Sequence, residues 1–179
     1  MTIRRRSPQD IPGLVRVLAA QRDATGYPVR WPLPFPVEDF LVRATERAGW
    51  VADDGGAVIG HVALTGVGGG WEADAWTEGT ALPASALPAV SVLFVDARAT
   101  GRGVGSDLLR TAVDHARTLG RTPVLDVVSE SRRAVALYER HGWQVVGRAR
   151  PPWLPPDRQP LLLMVLPPHG TTVVTCPRR

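Results

Sequence analysis

The feature that most constrains this sequence is an apolar run followed by closely spaced glycines and then a helical pattern. Residues 89–95 form an apolar run, as a strand covered on both faces requires. Glycines follow at positions 101, 103 and 105, and an amphipathic pattern then continues to about Thr118. Glycine suits places where the backbone turns tightly or approaches another group closely. Because the amides and dipole at the start of a helix attract an anion, the unit predicts a phosphate-binding turn between a strand and a helix. A plain connecting loop is the competing interpretation.

Two familiar nucleotide-binding motifs do not fit this turn. The P-loop ends in Gly-Lys-Ser/Thr, but here Gly105 is followed by Ser106 and Asp107. The dinucleotide-binding fingerprint needs a third glycine after two intervening residues, where this chain has Ser106 or Leu108. That fingerprint also places an acidic residue at the end of the next strand, whereas Asp126 lies inside it. Neither motif therefore matches the sequence of this turn.

The rest of the chain alternates short apolar runs with helical patterns. A capping-box pattern at residues 7–10 predicts the start of the first helix. The segment 66–88 is too long for a routine connection, so we interpret it as a functional or mobile loop. Further helices are predicted over residues 37–48 and 132–140. Strands are predicted over residues 2–6, 50–52, 57–65, 124–128, 143–148 and 161–165.

Composition narrows the class of protein. The chain has 179 residues, 44% of them hydrophobic and 21% charged, which is typical of a soluble globular domain. No apolar run is long enough to cross a bilayer, and no signal-peptide pattern follows the arginines at 4–6, so we expect no membrane and a cytoplasmic location. Cys176 is the only cysteine, which leaves no intrachain disulfide. The net charge of +4 is spread along the chain, and we expect no nucleic-acid partner. We predict one domain over residues 1–166 and a tail over 167–179.

Two blocks of the sequence carry a family resemblance. The first is VLFVD at 92–96 followed by GRGVGS at 101–106. The second is LDV at 125–127, Ser131, and RAVALYERHGW at 133–143. In this order and spacing they resemble the acyl-CoA-binding motif and the second conserved block of GNAT N-acetyltransferases. The chain departs from the family at Thr100, where Arg or Gln is usual, and at Ser131, where asparagine is common.

The resemblance, which covers about residues 2–166, implies a fold and a co-substrate. The fold would be α/β (α+β), with a mixed, mostly antiparallel central sheet, a splayed pair of parallel strands and helices on both faces. Acetyl-CoA would be the co-substrate, with no metal. Its pantetheine arm would pair with the main chain of Leu93, Phe94 and Val95, as an added strand pairs with an edge. The other implied contacts come from the turn and the helix start after it, at Gly101, Arg102, Gly103, Val104, Gly105 and Ser106, and from the second block, at Ser131.

The resemblance also implies direct attack of an amine on the thioester. Tyr138 matches the family's usual general acid; the alternative is a tyrosine that only packs its ring on the sheet. Asp126 occupies the strand position of a catalytic glutamate in a branch that acetylates protein N-termini, and a solvated or salt-bridged role competes with a role as base. His61 has a suitable intrinsic pKa, but a hydrogen-bonded core histidine is the other interpretation.

In this family the acceptor pocket is shaped by segments that correspond here to residues 27–35 and 66–88. Both contain aromatic residues and prolines, which favours a partly apolar pocket for a small-molecule amine, with a protein or peptide amine second. Acidic and aromatic side chains of the second segment would attract and stack a cationic amine. These side chains are Trp71, Glu72, Asp74, Trp76 and Glu78.

Two other functions remain open from the sequence. One is a non-catalytic acyl-CoA-binding or sensing module of the same fold, and the other is a dinucleotide-dependent oxidoreductase. A homodimer is possible, since the apolar residues 161–166 suit either an interface or the interior.

Overall fold

The computed structural model describes residues 1–69 and 71–168, and at residues 71 and 72 it describes the backbone alone. The described helices are α1 Ile11–Thr25, α2 Val37–Leu41, α3 Trp71–Thr80, α4 Val104–Thr118 and α5 Arg132–Arg140. Short 3-10 turns span Pro8–Asp10, Ala84–Ala86 and Ala97–Ala99. The strands are β1 Thr2–Arg5, β2 Glu46–Asp54, β3 Ala57–Gly66, β4 Pro88–Val95, β5 Val124–Val128, β6 Gln144–Ala149 and β7 Leu161–Val165.

The described strands form a mixed sheet in the order β1-β2-β3-β4-β5-β7-β6. β4 and β5 run parallel, with Ala89 opposite Val124. β1 with β2, β2 with β3, β5 with β7 and β6 with β7 are antiparallel. A parallel pair needs a long crossover connection, and the chain between β4 and β5 contains α4. The predicted α/β fold class, with a mixed and mostly antiparallel sheet, is confirmed.

By contacts between residues the chain divides into two compact units. The first contains residues 1–65 and 90–115. Its core joins α1, α2, β2 and β4 through a cluster of buried apolar side chains. These are Leu14, Val17, Leu18, Leu41, Val51, Val92 and Phe94.

Within this unit the start of α4 packs tightly against β3 at Gly60. A Cβ atom placed on Gly60 would lie 3.0 Å from Leu108 Cδ1 and 3.1 Å from the Phe94 carbonyl oxygen. It would also lie 3.5 Å from Val104 Cγ1. Only glycine lets the strand and the helix come this close.

The second unit contains residues 66–89 and, among the described residues, 116–168. Its core gathers side chains of α3, β5 and β7, and Trp76 of α3 is 1% exposed at its centre. The other buried members are Leu87, Ala89, Val124, Leu163 and Val165.

Two predictions about secondary structure were wrong. The helix predicted over residues 37–48 ends at Leu41, and the residues from Glu46 onward belong to β2. β2 pairs with β3 from Glu46 opposite Thr65, and this long-range pairing overrides the helical spacing of nearby apolar residues. The segment 66–88, interpreted as a loop, contains α3, which forms because Ala73 and Trp76 share one buried face.

No helix in the described part of the chain combines the length and apolar character that a membrane span requires.

Candidate active site

The glycine-rich turn begins where β4 ends. The Asp96 amide donates to the Ile59 carbonyl over 2.8 Å, and the Asp96 carboxylate accepts from the Arg98 amide over 2.8 Å. A 3-10 turn over Ala97–Ala99 follows. Gly101 and Gly103 then adopt φ values of +85° and +82°, a region that residues with a side chain rarely enter. The two glycines are therefore required by the backbone conformation of the turn.

The turn leads directly into α4, which begins at Val104. The Asp107 amide donates to the Gly103 carbonyl over 3.0 Å. The amides of residues 104–106 precede this first helical hydrogen bond, as the first-turn amides of any α-helix do. Together with the positive end of the helix dipole, they give this point of the chain the character of an anion site. Gly105 lies inside the helix and not in the turn.

Arg102, the basic residue of the turn, forms a surface ion pair. Its Nη2 lies 3.0 Å from Asp54 Oδ2. Asp54 also lies 3.4 Å from the Met1 amino group. Hydrogen bonding to Arg102 is the chief cause that lowers the pKa of Asp54. Because both partners are well exposed, the pair is accessible to a competing anion.

The strand segment expected to pair with pantetheine, Leu93 to Val95, has a buried Phe94 between two half-buried neighbours. It follows Val92, whose φ is +52°. A β-branched residue in this left-handed region is an outlier that the surrounding structure must stabilise.

His61 is fully buried in β3 of the same unit. Its Nδ1 lies 2.9 Å from the Val92 carbonyl oxygen, and its Nε2 lies 2.9 Å from Arg6 Nη1. Burial lowers the pKa of His61 to about 4, so the ring is neutral at neutral pH.

Arg6 and Glu46 extend this contact, and no sequence pattern marks either of them as a site residue. Arg6 Nη1 donates to Glu46 Oε2 over 3.0 Å and to the Leu41 carbonyl over 2.9 Å. The Arg6 and Glu46 side chains are only 8% and 13% exposed. Arg6 is one of three consecutive arginines, and nothing in the sequence marks it as the buried one.

In the second unit, Tyr138 lies on α5 and is 8% exposed. Its ring packs edge-on against Trp143, with 5.9 Å between the ring centroids. The Trp143 amide donates to the Tyr138 carbonyl over 3.1 Å. The Tyr138 ring is thus packed against Trp143, and packing alone does not decide whether its hydroxyl takes part in chemistry.

Asp126 and Ser131 lie in the same unit as Tyr138. Asp126 is an exposed residue in the middle of β5, opposite Leu163 of β7. Ser131 caps α5 through its main chain, since the Val135 amide donates to its carbonyl over 3.0 Å. The Ser131 side chain makes no cap hydrogen bond.

The expectation that Trp76 stacks an amine was wrong, because its ring is buried in the core of the second unit. Asp74 and Glu78 of the same segment are exposed, and the side chains at 71 and 72 lie outside the described residues.

In the other segment expected to bind the acceptor, the Tyr27 ring packs 5.9 Å from Phe40. An open cavity of about 430 Å³ lies beside Phe35, lined also by Asp39, Val42 and Ala44.

No cluster of three or more His, Cys, Asp or Glu side chains suited to a metal ion occurs within residues 1–69 and 73–168.

A mixed sheet with a glycine-rich turn between β4 and the start of α4 places the protein among α/β folds whose main-chain amides at a helix start suit a phosphate-bearing ligand. The chain belongs to the GNAT acetyltransferase family, whose model matches residues 15–143. The resemblance inferred from the two sequence blocks is thereby confirmed.

Solved structures agree on the fold. The ribosomal-protein-S18-alanine N-acetyltransferase of Escherichia coli is 18% identical, with a TM-score of 0.66, 93% of this chain and 92% of that chain being covered. A GCN5-related N-acetyltransferase from Kribbella flavida is 21% identical, with a TM-score of 0.66 and coverage of 93% and 96%. A spermidine N-acetyltransferase chimera from Vibrio cholerae and hSSAT is 19% identical, with a TM-score of 0.66 and coverage of 92% and 93%. No curated protein sequence gives a significant match.

Proposed function

We propose that this protein transfers an acetyl group from acetyl-CoA to a primary amine of a small molecule. The observation that carries the proposal is the turn before α4, where Gly101 and Gly103 adopt left-handed backbone conformations. After that turn the chain enters a helix whose first amides suit a pyrophosphate. The family match over residues 15–143 makes acetyl transfer the reaction to test.

In the proposed reaction the neutral amine attacks the thioester carbonyl carbon. The C–N bond forms, the C–S bond breaks, and coenzyme A leaves as a thiolate. We assign Tyr138 the role of general acid, donating its phenolic proton to that sulfur, and the proton that the nitrogen loses as it becomes an amide restores the phenol. We assign the pyrophosphate to the main chain of the turn and the pantetheine arm to the main chain of Leu93, Phe94 and Val95.

A base must remove the proton of the incoming ammonium, and Asp126 is the residue to test first. It is exposed, so it can exchange protons with solvent or with an amine. His61, the other candidate from the sequence, is fully buried, and its Nε2 is engaged by Arg6. A proton can reach that nitrogen only if Arg6 withdraws. Comparing the pH–rate profiles of Asp126→Asn and wild type tests this choice; unchanged profiles would remove Asp126.

A small-molecule acceptor is favoured by the partly apolar surface at residues 27–42, where Phe35 is exposed beside Asp39. Among the structural neighbours, one is named for spermidine and another for a ribosomal protein, so the fold serves both kinds of acceptor. A protein or peptide amine is therefore the second candidate acceptor, and a non-catalytic acyl-CoA sensor is the second candidate function.

Ligand binding is tested first by thermal shift. Acetyl-CoA is expected to raise the melting temperature, because a ligand specific to the native state stabilises it, whereas NAD is expected to have no effect. Stabilisation by NAD alone would contradict the proposal.

Turnover is tested by release of coenzyme A thiol with a panel of small amines and N-terminal peptides. Stabilisation by acetyl-CoA with no thiol released across the panel would favour the sensing module.

The role of Tyr138 is tested by Tyr138→Phe, which keeps the ring against Trp143 and removes only the hydroxyl. We expect turnover to fall by about 10²-fold or more, as loss of a general acid does, with little change in affinity for acetyl-CoA. Melting temperatures of both proteins control for folding. Unchanged turnover in the variant would remove the assignment.

A further inference from the structure

A buried chain of polar groups connects the first strand of the protein to the backbone of β4. Glu46 binds Arg6 through both carboxylate oxygens, and Arg6 donates to His61 Nε2 over 2.9 Å. His61 Nδ1 in turn lies 2.9 Å from the Val92 carbonyl oxygen. Members of the chain come from β2, β3, β4 and the residue that follows β1, so the contact exists only in the folded first unit.

The partners of His61 determine which ring nitrogen carries the proton. A guanidinium has donors and no acceptor, so Nε2 of His61 must accept from Arg6. Nδ1 must then carry the hydrogen and donate it to the Val92 carbonyl, which can only accept. The ring is thereby held in one tautomer and one orientation, and a second proton on Nε2 would face the Arg6 N–H groups.

The acceptor of this hydrogen bond belongs to the most unusual backbone position in β4. Val92 has a φ of +52°, while its side chain is buried in the apolar cluster with Phe94. A valine in this region is strained and persists only where neighbouring groups hold it. His61 is such a group, since it also packs its ring 5.7 Å from Phe94.

The residues that follow Val92 are those assigned above to the pantetheine arm. The direction of the amides in Leu93 to Val95 depends on the peptide that precedes them, because one changed φ/ψ pair reorients the strand after it. A shift of about 1 Å in a binding group costs up to about 100-fold in rate.

We propose that His61 is a positioning residue, which fixes the Val92 carbonyl and so holds the strand segment 93–95 in place for the acyl donor. Arg6 and Glu46 fix the imidazole in the tautomer that this requires. The inference rests on the acetyl transfer proposed above and assigns His61 a role other than that of a base.

Two substitutions of His61 separate the role of Nδ1 from general packing. Asn carries its amide on the same Cγ atom as Nδ1 does in histidine, so His61→Asn keeps a donor for the Val92 carbonyl. In His61→Gln the amide lies one methylene further out and reaches the place of Nε2 instead. We expect kcat/KM for acetyl-CoA to fall by about ten-fold or more in His61→Gln and to stay within about three-fold of wild type in His61→Asn. The KM for the amine is expected to change in neither.

Asp10→Asn is the matched control, because it weakens another ion pair of the same unit, between the buried Asp10 and the partly exposed Arg4, away from β4. Its kcat/KM per folded molecule is expected to equal that of wild type. Equal losses in His61→Asn and His61→Gln, or an equal loss in Asp10→Asn, would overturn the proposal and leave acetyl transfer itself standing.

Nuclear magnetic resonance tests the inference without any turnover. In wild type the imidazole nitrogens are expected to show a protonated Nδ1 and an unprotonated Nε2. The Val92 amide coupling is expected to report a positive φ in wild type and in His61→Asn, and to change in His61→Gln. An Nε2–H tautomer, or a Val92 conformation unaffected by His61→Gln, overturns the positioning role even if the wild-type protein transfers no acetyl group.

Discussion

The turn at residues 96–103, with the helix start that follows it, and the segment at residues 66–88 were both predicted to contact ligands, and they differ in what the prediction relied on. The turn was assigned through its main chain, and its glycines adopt the left-handed conformations that such a turn needs. The segment was assigned through its side chains, and its central aromatic residue, Trp76, is buried in a core. A glycine at a positive φ shows that the backbone needs a conformation other residues rarely adopt, whereas an aromatic residue suits a core and a binding surface equally well.

The largest expected effect concerns that buried aromatic residue. Trp76→Ala should lower the free energy of unfolding by about 3–5 kcal/mol, because it leaves a cavity among Leu87, Val124 and Leu163. Trp153→Ala is the matched control, since Trp153 is 42% exposed and its loss should cost about 0.5 kcal/mol or less. Urea unfolding measures both. A normal stability of Trp76→Ala with a raised KM for the amine would restore the stacking role and break the comparison.

The second effect concerns His61, one of the side chains that the sequence suggested as a catalytic residue. The pKa of His61 is about 4 in the folded protein, whereas that of an unburied histidine is 6.5. Between these pH values the unfolded chain binds the proton and the folded chain does not, so stability falls as the pH falls from about 6.5 to about 4. Its contribution to that loss is up to about 3 kcal/mol. Urea unfolding at pH 7 and pH 4 should show a smaller loss in His61→Asn, which cannot titrate in this range; an equal loss would contradict a buried neutral histidine.

The third effect tests the turn itself with two glycines that share a conformation. Gly103 and Gly120 have φ values of +82° and +64°, and an added Cβ would meet nothing within 4 Å at either position. Gly103→Ala and Gly120→Ala should therefore each lower the free energy of unfolding by about 1–2 kcal/mol. Only Gly103→Ala should reduce the thermal shift produced by acetyl-CoA. Equal thermal shifts in both variants would show that the turn does not hold the co-substrate.

The smallest effect concerns the ion pair between Arg102 and Asp54. Asp54→Asn should leave the free energy of unfolding nearly unchanged, because the pair is exposed. The substitution should raise the affinity for acetyl-CoA by a factor of about two to five, because the Asp54 carboxylate no longer competes with a phosphate for Arg102. Asp23→Asn is the charge control, as Asp23 is 99% exposed and lies outside the turn. Titration calorimetry at two salt concentrations measures the difference, and identical affinities in the two variants would exclude a role for Arg102.

Local patterns predicted local structure well. The predicted ends of β5 and α5, at residues 124–128 and 132–140, match the structure. Both elements are short, and the local apolar pattern alone marks where each one begins and ends. The start of β2 could not be read in this way, since Glu46 becomes a strand residue only by pairing with Thr65.

In the candidate site, too, local features could be predicted from the sequence and long-range contacts could not. The turn was readable because positive φ values demand glycine at 101 and 103. The environment of His61 was not, because Arg6 is 55 positions away in the chain and Glu46 reaches it only through Arg6. Tyr138 was assigned from the family pattern, and its role as an acid stays a prediction.

The contact at Gly60 has a consequence for anyone who evolves this protein in the laboratory. A methyl group at that position would lie 3.0 Å from Leu108 Cδ1 and 3.1 Å from the carbonyl oxygen of Phe94, so these neighbours would have to shift by a few tenths of an ångström. Because Leu108 belongs to α4, part of that shift falls on the helix whose first amides we assign to the co-substrate. Random mutagenesis should therefore recover few active clones with a bulky residue at position 60, although this position lies 36 residues before Asp96 and touches no ligand in our proposal.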